Sequence, residues 1–278
     1  MKWDKAKNLI IVFLIIMNVF LYFANYYYDK KYSLSTQQEK NIITVLGENK
    51  ISMYANMPDK NLPMASLIIA PSLADYDRNK IADNFLGSTY TKSENGDIQT
   101  FTSVDGIITF ENGFFYMDFL EPLTFVDNPK EYIKKFGKPL EDFVLDKVSQ
   151  EEGYTIYEYR EKYKNTIVYT NRIEITTKDN NIYNILGFFG ENDGYSENPK
   201  DIISADMALF TFIKTAKEIY GDTELFIEGV DVVYYQEEYF PYSENEFQTN
   251  AMPCYRIYVQ DQSVPFIINA YTNKVINY

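Results

Sequence analysis

The chain opens on an apolar run, NLIIVFLIIMNVFLYFANYYY, in which no residue from position 8 to 28 carries a charge. Residues 9–28 number 20. At about 1.5 Å rise per residue they reach roughly 30 Å, the thickness of a bilayer's hydrocarbon core. A cleaved export signal has a shorter apolar region, about 7–15 residues, ending at a small-x-small site. Here the only small residue near the end, Ala24, stands between Phe23 and Asn25. The pattern predicts a retained transmembrane helix over 9–28 behind a cytoplasmic tail, 1–8. Lys2, Lys5 and Lys7 precede the run and Lys30 and Lys31 follow it. That balance favours a cytoplasmic N-terminus, as does the absence of a second spanning run in the rest of the chain. Trp3 on one side and Tyr26, Tyr27 and Tyr28 on the other suit the headgroup level.

Beyond the run the pattern is mostly of period two, with a few helical intervals. Residues 35–47 place Ile42, Ile43, Val45 and Leu46 on one helix face and stop at Gly47, so 29–48 reads as a juxtamembrane helix and linker. Short strands follow at 51–56 and 65–70, then a helix at 77–86 with Ile81, Phe85 and Leu86 inward and Gly87 as terminator. From 90 to 120 the alternation, with Asp105-Gly106 and Asn112-Gly113 as turns, predicts a three-stranded meander. Asn128, Pro129 and Gly137 frame a helix as N-cap, first residue and stop. A second helical piece is expected at 140–152. Strands are expected at 154–160, 166–176 and 182–189, with a turn at 178–181 and a loop, GENDGYSENPKD, after them. Residues 202–220 form the strongest helical pattern outside the apolar run, opened by Ser204 with Asp206 in the first turn and closed by Gly221. Strands at 230–235, 253–260, 265–270 and 275–277 complete the chain, with a turn at 272–274. The fold class is α+β: an N-terminal transmembrane helix, then antiparallel sheets each covered by a helix. The exported part divides into a first portion, 49–200, and a C-terminal portion, 201–278.

Composition narrows the function. Residues 1–28 hold three lysines and one aspartate, so the acidic excess behind the net charge of −14 lies in the exported part. Such a surface repels nucleic acid and anionic lipid, which excludes DNA and RNA as partners. Hydrophobic residues make up 46% and aromatics 17%, too apolar for a chain that stays unfolded. There is no histidine, which removes the commonest zinc ligand and every Ser-His or Cys-His arrangement. Cys254 is the only cysteine. It rules out an intrachain disulfide, and its alternating neighbours Tyr255, Ile257 and Val259 make it a half-buried strand residue.

The search for chemistry finds no constellation. Asp193-Gly194 lacks the calcium-loop pattern. The pairs Glu151-Glu152 and Glu237-Glu238 project to different sides of any regular element. No phosphate-binding glycine loop or nucleophile elbow occurs. A Ser-Lys pair stays formally open because it needs no histidine. No catalytic residue, cofactor or metal ligand is therefore expected, and the chain reads as no enzyme. The 26 tyrosines suit sheet packing, and the competing reading is an aromatic-lined groove for cell-wall peptide or glycan. Within the apolar run, Asn18 and Asn25 lie one heptad apart on a face shared with Ile11 and flanked by Leu14. An amide in hydrocarbon seeks a partner, so this face is either a helix-contact surface or a tolerated feature of a passive anchor.

The two ends are similar to a known family. The opening MKWDKAKNLIIVFLIIMNVFLYF resembles the start of the YycI proteins of Firmicutes: Met-x-Trp, lysines, then one membrane helix with Asn or Asp near its middle. The closing PCYRIYVQDQSVPFIINAYTNKVI resembles that family's final strand pair, with Ile268-Asn269-Ala270-Tyr271-Thr272 matching and Asn273 standing where glycine is usual. Asn tolerates positive φ, so the turn survives the exchange. The resemblance implies a non-enzymatic regulator acting with a YycH-like protein on a WalK (YycG)-like sensor histidine kinase of cell-wall metabolism, in part through membrane helices. It brings no catalytic residues. Its C-terminal likeness to PepSY modules keeps a peptide-binding or peptidase-inhibitor role as the alternative.

Overall fold

The apolar run forms one helix in the computed structural model of the chain, and the helix does not end where the apolar residues do. The structure describes residues 3–71, 75–125, 128–137, 140, 142–236 and 249–277. Lys2, Glu237 and Glu238 lie outside the described residues. Helix α1 covers Trp3–Tyr32. Helix α2, Thr36–Glu48, follows after a short break and is set by a capping box. Ser35 Oγ accepts from Gln38 N–H and Gln38 Oε1 accepts from Ser35 N–H. Gly47 does not stop it; Asn49 is the C-cap, and its side chain donates to Val45 O at 2.6 Å.

Next come β1 (Ile51–Met53), β2 (Leu67–Pro71) and α3 (Asp75–Leu86). The strands β3 (Thr91–Asn95), β4 (Ile98–Thr102), β5 (Gly106–Glu111) and β6 (Phe114–Thr124) make a meander of four strands rather than three. The extra hairpin turns at Gly96, whose φ is +61°. Helix α4, Lys130–Ile133, is short and runs on as a 3-10 turn, Lys134–Phe136, that Gly137 ends at φ +79°. Its N-cap is Pro129 rather than Asn128, although Asn128 Oδ1 accepts from Lys130 N–H at 2.7 Å.

The chain continues as β7 (Phe143–Glu151), β8 (Tyr154–Tyr163), β9 (Thr166–Lys178), β10 (Asn181–Phe188) and β11 (Gly190–Tyr195). Two expectations are corrected here. Of the helix expected over 140–152, Phe143–Glu151 form a strand instead, because their hydrogen bonds go to β8. The segment GENDGY is a strand where a loop was expected, because it pairs antiparallel with β2. Helix α5 (Ala205–Tyr220) and strands β12 (Leu225–Tyr235), β13 (Thr249–Val259), β14 (Phe266–Asn269) and β15 (Val275–Asn277) complete the order. Ser204 is the N-cap of α5, yet its hydroxyl donates to the Asp206 carboxylate rather than capping a backbone N–H. The α+β reading holds.

The chain divides into two compact units, each assembled from separated pieces. The first comprises Met1–Pro63, Asp201–Asp231 and Ile257–Tyr278; the second comprises Met64–Lys200 and Val232–Arg256. In the first unit β1 pairs in parallel with the start of β12, and α5 packs on β14 and β15 with α2 beside it. Ile42, Leu46, Leu209, Phe212, Ile227, Phe266 and Ile268 are buried in its core.

In the second unit β3–β4–β5–β6–β10–β9–β8–β7 run in that spatial order as antiparallel neighbours. One face of this sheet carries the core, in which Ile108, Phe110, Phe115, Met117, Ile173, Ile175 and Ile185 meet Ile81 and Phe85 of α3 and Tyr132, Ile133 and Phe136. A smaller cluster gathers Leu67, Ile69, Val168, Tyr234 and Ala251. Cys254 is fully buried in β13, deeper than the half-buried position its neighbours suggested.

Candidate functional site

Twenty-seven residues of α1, Ala6–Tyr32, are long and apolar enough to cross a membrane. The spanning window is uncovered by the rest of the chain. Leucine, isoleucine and phenylalanine here enter no core of this chain, which is the exposure a membrane span or signal anchor shows. Asn18 and Asn25, seven residues apart, project along one face, since seven residues at 3.6 per turn return to within about 20°. Ile11 continues that face one heptad earlier and Leu14 flanks it, so the four residues singled out from sequence form one exposed stripe of α1.

The foot of α1 is built into the first unit. Tyr32 is only 7% exposed, and its ring lies 4.8 Å from that of Tyr28. Its hydroxyl donates to Asp201 Oδ1 at 3.0 Å, and Lys31 Nζ stands 3.4 Å from the same carboxylate. Its carbonyl accepts from Asn61 N–H at 2.9 Å, while Leu34 N–H donates to Asp59 O at 2.8 Å. Ser33 and Lys60 form an isolated antiparallel bridge, and Lys60 Nζ reaches Asp29 at 3.1 Å. The exposed ion pairs contribute little each, because water screens them and long side chains lose entropy. The buried tyrosine and the backbone bonds fix the geometry. These contacts form a clamp: they tie the end of α1 to the first unit, ahead of α2.

The C-terminal residues that carry the family resemblance form a structural turn in the same unit. Asn269 Oδ1 accepts from the N–H groups of Tyr271 and Thr272 at 2.9 and 3.0 Å, and Asn273 N–H donates to Asn269 O at 2.9 Å. Asn273 has φ +55°, the left-handed conformation that glycine would supply. Its side chain adds a bond glycine lacks, accepting from Thr211 Oγ1 of α5 at 2.8 Å.

The second unit holds polar groups that sequence reasoning did not find. Arg256 forms a two-bond fork with Asp146 at 2.7 and 3.0 Å. Arg160, 2% exposed, pairs with Glu158 at 3.0 Å, lies 3.6 Å from Asp146, donates to Tyr169 O and stacks over the Tyr169 ring at 3.9 Å. Asp146 and Arg256 are 110 positions apart, and no local spacing announces them. Two guanidinium groups facing two carboxylates balance in charge, and the cluster carries no nucleophile. It is suited to holding strands together.

Beside it the register of β8 and β9 jumps: Arg160 opposes Arg172, and the next residue, Glu161, opposes Val168. Asn171 lies in the resulting bulge, fully buried, donating to Glu161 Oε2 and to Gly190 O and accepting from Gly190 N–H. Burial pushes the Glu161 carboxyl up to about 7; the Asn171 bond opposes that rise and Asp142 adds to it. Among the described residues no group of three or more His, Cys, Asp or Glu is placed to hold a metal ion.

No protein-family model matches the chain, and no curated protein is similar to it in sequence. The YycI resemblance therefore rests on the residues of the two ends. Among solved structures, an uncharacterized protein from Eubacterium rectale is similar at TM-score 0.54 and 9% identity, over 86% of this chain and 99% of that one. The Bacillus megaterium YpeB C-terminal domain is similar at TM-score 0.42 and 10% identity, over 75% of this chain and 97% of that one. At 9% identity the first likeness shows a shared fold alone.

Proposed function

We propose that the chain is a membrane-anchored accessory regulator that adjusts a sensor histidine kinase of cell-wall metabolism, together with a YycH-like protein, through its membrane helix and its exported units. The observation that carries this reading is the clamp. A passive anchor needs only a flexible tether, whereas Tyr32, Asn61 and Asp201 hold α1 to the folded unit, so a displacement on one side reaches the other. The Asn18–Asn25 stripe supports a helix partner, because a bond between amides in lipid is worth about 1 kcal/mol and replaces an unsatisfied polar group. The resemblance of the two ends to YycI supplies the kind of partner. In this reading the N-terminus is cytoplasmic, the units lie outside the membrane, and the chain performs no chemistry of its own.

The test replaces Asn18 and Asn25 together by leucine in the full chain. Co-purification with the kinase and autophosphorylation of the kinase are then measured. Both should change, with the exported units still folded. Unchanged values in both remove the stripe from the mechanism.

A further inference from the structure

The core face of the sheet in the second unit is covered by helices; its other face leaves Phe114 and Tyr116 half open beside Phe188, which is buried, its ring 4.8 Å from that of Phe114. Reading across the strands, Thr109 opposes Tyr116, which opposes Leu186, which opposes Glu174. The next row is Glu111, Phe114, Phe188 and Arg172. Because side chains alternate along a strand, both rows point away from the core. Here lies a hollow of about 230 Å³ whose lining includes Phe114, Tyr116, Leu186, Arg172 and Glu111 and also the core residue Phe115 beside Gly187. Phe114 is 39% exposed and Tyr116 46%, and Ile107 and Leu120 extend the apolar surface on the same face at 40% and 68%.

We propose that this outer face docks a polypeptide segment that inserts one bulky apolar side chain between flanking lysine or arginine residues. The size of the hollow is below the roughly 300–1,000 Å³ of small-molecule sites, which favours a single anchoring side chain. Its walls are rings and aliphatic carbon, and an open aromatic patch of this kind marks an interaction surface. Charge chooses the flanks. Arg172 and Glu174 answer each other, with Nε 3.2 Å from the carboxylate, which leaves Asp118 to set the sign of the surface beside Tyr116 on a chain of net charge −14. Asp118 stands close enough to Tyr116 to hinder ionisation of its phenol, after the larger effect of partial burial. Sugar recognition would need polar groups aimed into the hollow, and Arg172 is turned to Glu174. The proposal goes beyond the helix-contact reading and does not depend on it, since the two use different units.

The test uses the full chain in neutral detergent, with three labelled peptides followed by fluorescence anisotropy against empty micelles. The first is Ser-Lys-Lys-Phe-Lys-Lys-Ser; the second has glutamate for every lysine; the third has glycine for phenylalanine. The first should bind saturably, with the other two weaker by about tenfold or more. Tyr116→Ala should cost a similar factor. Asp118→Lys, a change of one exposed charge, should do so as well, with an unchanged thermal melt. Equal binding of the glutamate peptide overturns the proposal. So does the absence of saturation up to millimolar peptide, or binding that neither variant alters. Saturation by chitotetraose that Tyr116→Ala abolishes, without peptide binding, overturns it in favour of a glycan site.

Discussion

The two faces of the second unit's sheet are made by the same strands and have opposite fates. Phe115 and Met117 point into the core against α3 and the 3-10 turn; Phe114 and Tyr116, their neighbours in β6, stand half open. The same residue types appear on both sides. What differs for this pair of neighbours is whether a helix covers them: Phe115 and Met117 hold the fold together, while Phe114 and Tyr116 stay half exposed beside the buried Phe188.

The sharpest way to break this comparison is a pair of adjacent truncations. Phe115→Ala should destabilise the chain by about 3–5 kcal/mol, as a large buried ring leaves a cavity. The ring lies over Gly187, at 2.4 Å from where a Cβ there would stand, and 5.2 Å from the ring of Phe136. Tyr116→Ala, one residue along, should change stability by no more than about 0.5 kcal/mol. Denaturant unfolding of the full chain measures both; similar losses would mean that the outer face is also covered.

The cluster around Asp146 comes next. Arg256→Met removes the fork and leaves the carboxylate with Arg160 at 3.6 Å, at an expected loss of about 3 kcal/mol. Adding Asp146→Leu should recover most of it, because the cost is an uncompensated buried charge. The absence of recovery would mean that the pair contributes net attraction.

A further effect is read against pH and concerns Glu161. The folded chain holds its carboxyl protonated up to about 7, against an ordinary value of 4.5 in the unfolded chain. Folding therefore takes up a proton between these values. The stabilisation is complete below about pH 4.5 and is lost as pH rises through 7. Melting temperatures followed across pH 4.5–7.5 should show this downward slope flattened in Glu161→Gln. An identical slope in both proteins would place its origin elsewhere.

Local pattern carried a large part of the fold. The apolar run, the hairpin dipeptides and the long α5 pattern each state their geometry within a few residues. The misses share a cause, which is that distant partners settled the conformation. Residues 143–151 place Val144, Leu145 and Val148 at helical spacing, and the register shift near Asp146 hides their strand alternation. GENDGY has the composition of a loop, yet Gly190, lacking a side chain, lets Ile69 approach within 2.3 Å of the Cβ position while Asn171 holds both of its backbone groups. Of the candidate site, the stripe on α1 was legible because heptad spacing is local. The clamp at Tyr32 was not, since Asp201 is 169 positions away.

That clamp also gives α1 a phase. A helix turns about 100° per residue, so a foot held by Tyr32 fixes the compass bearing of Asn18 and Asn25 relative to the folded unit. One residue inserted between Asn25 and Asp29 would leave the composition of the span almost untouched and swing the stripe through more than a quarter turn. The distance from Asn25 to Tyr32, one heptad, thus sets a direction as well as a length.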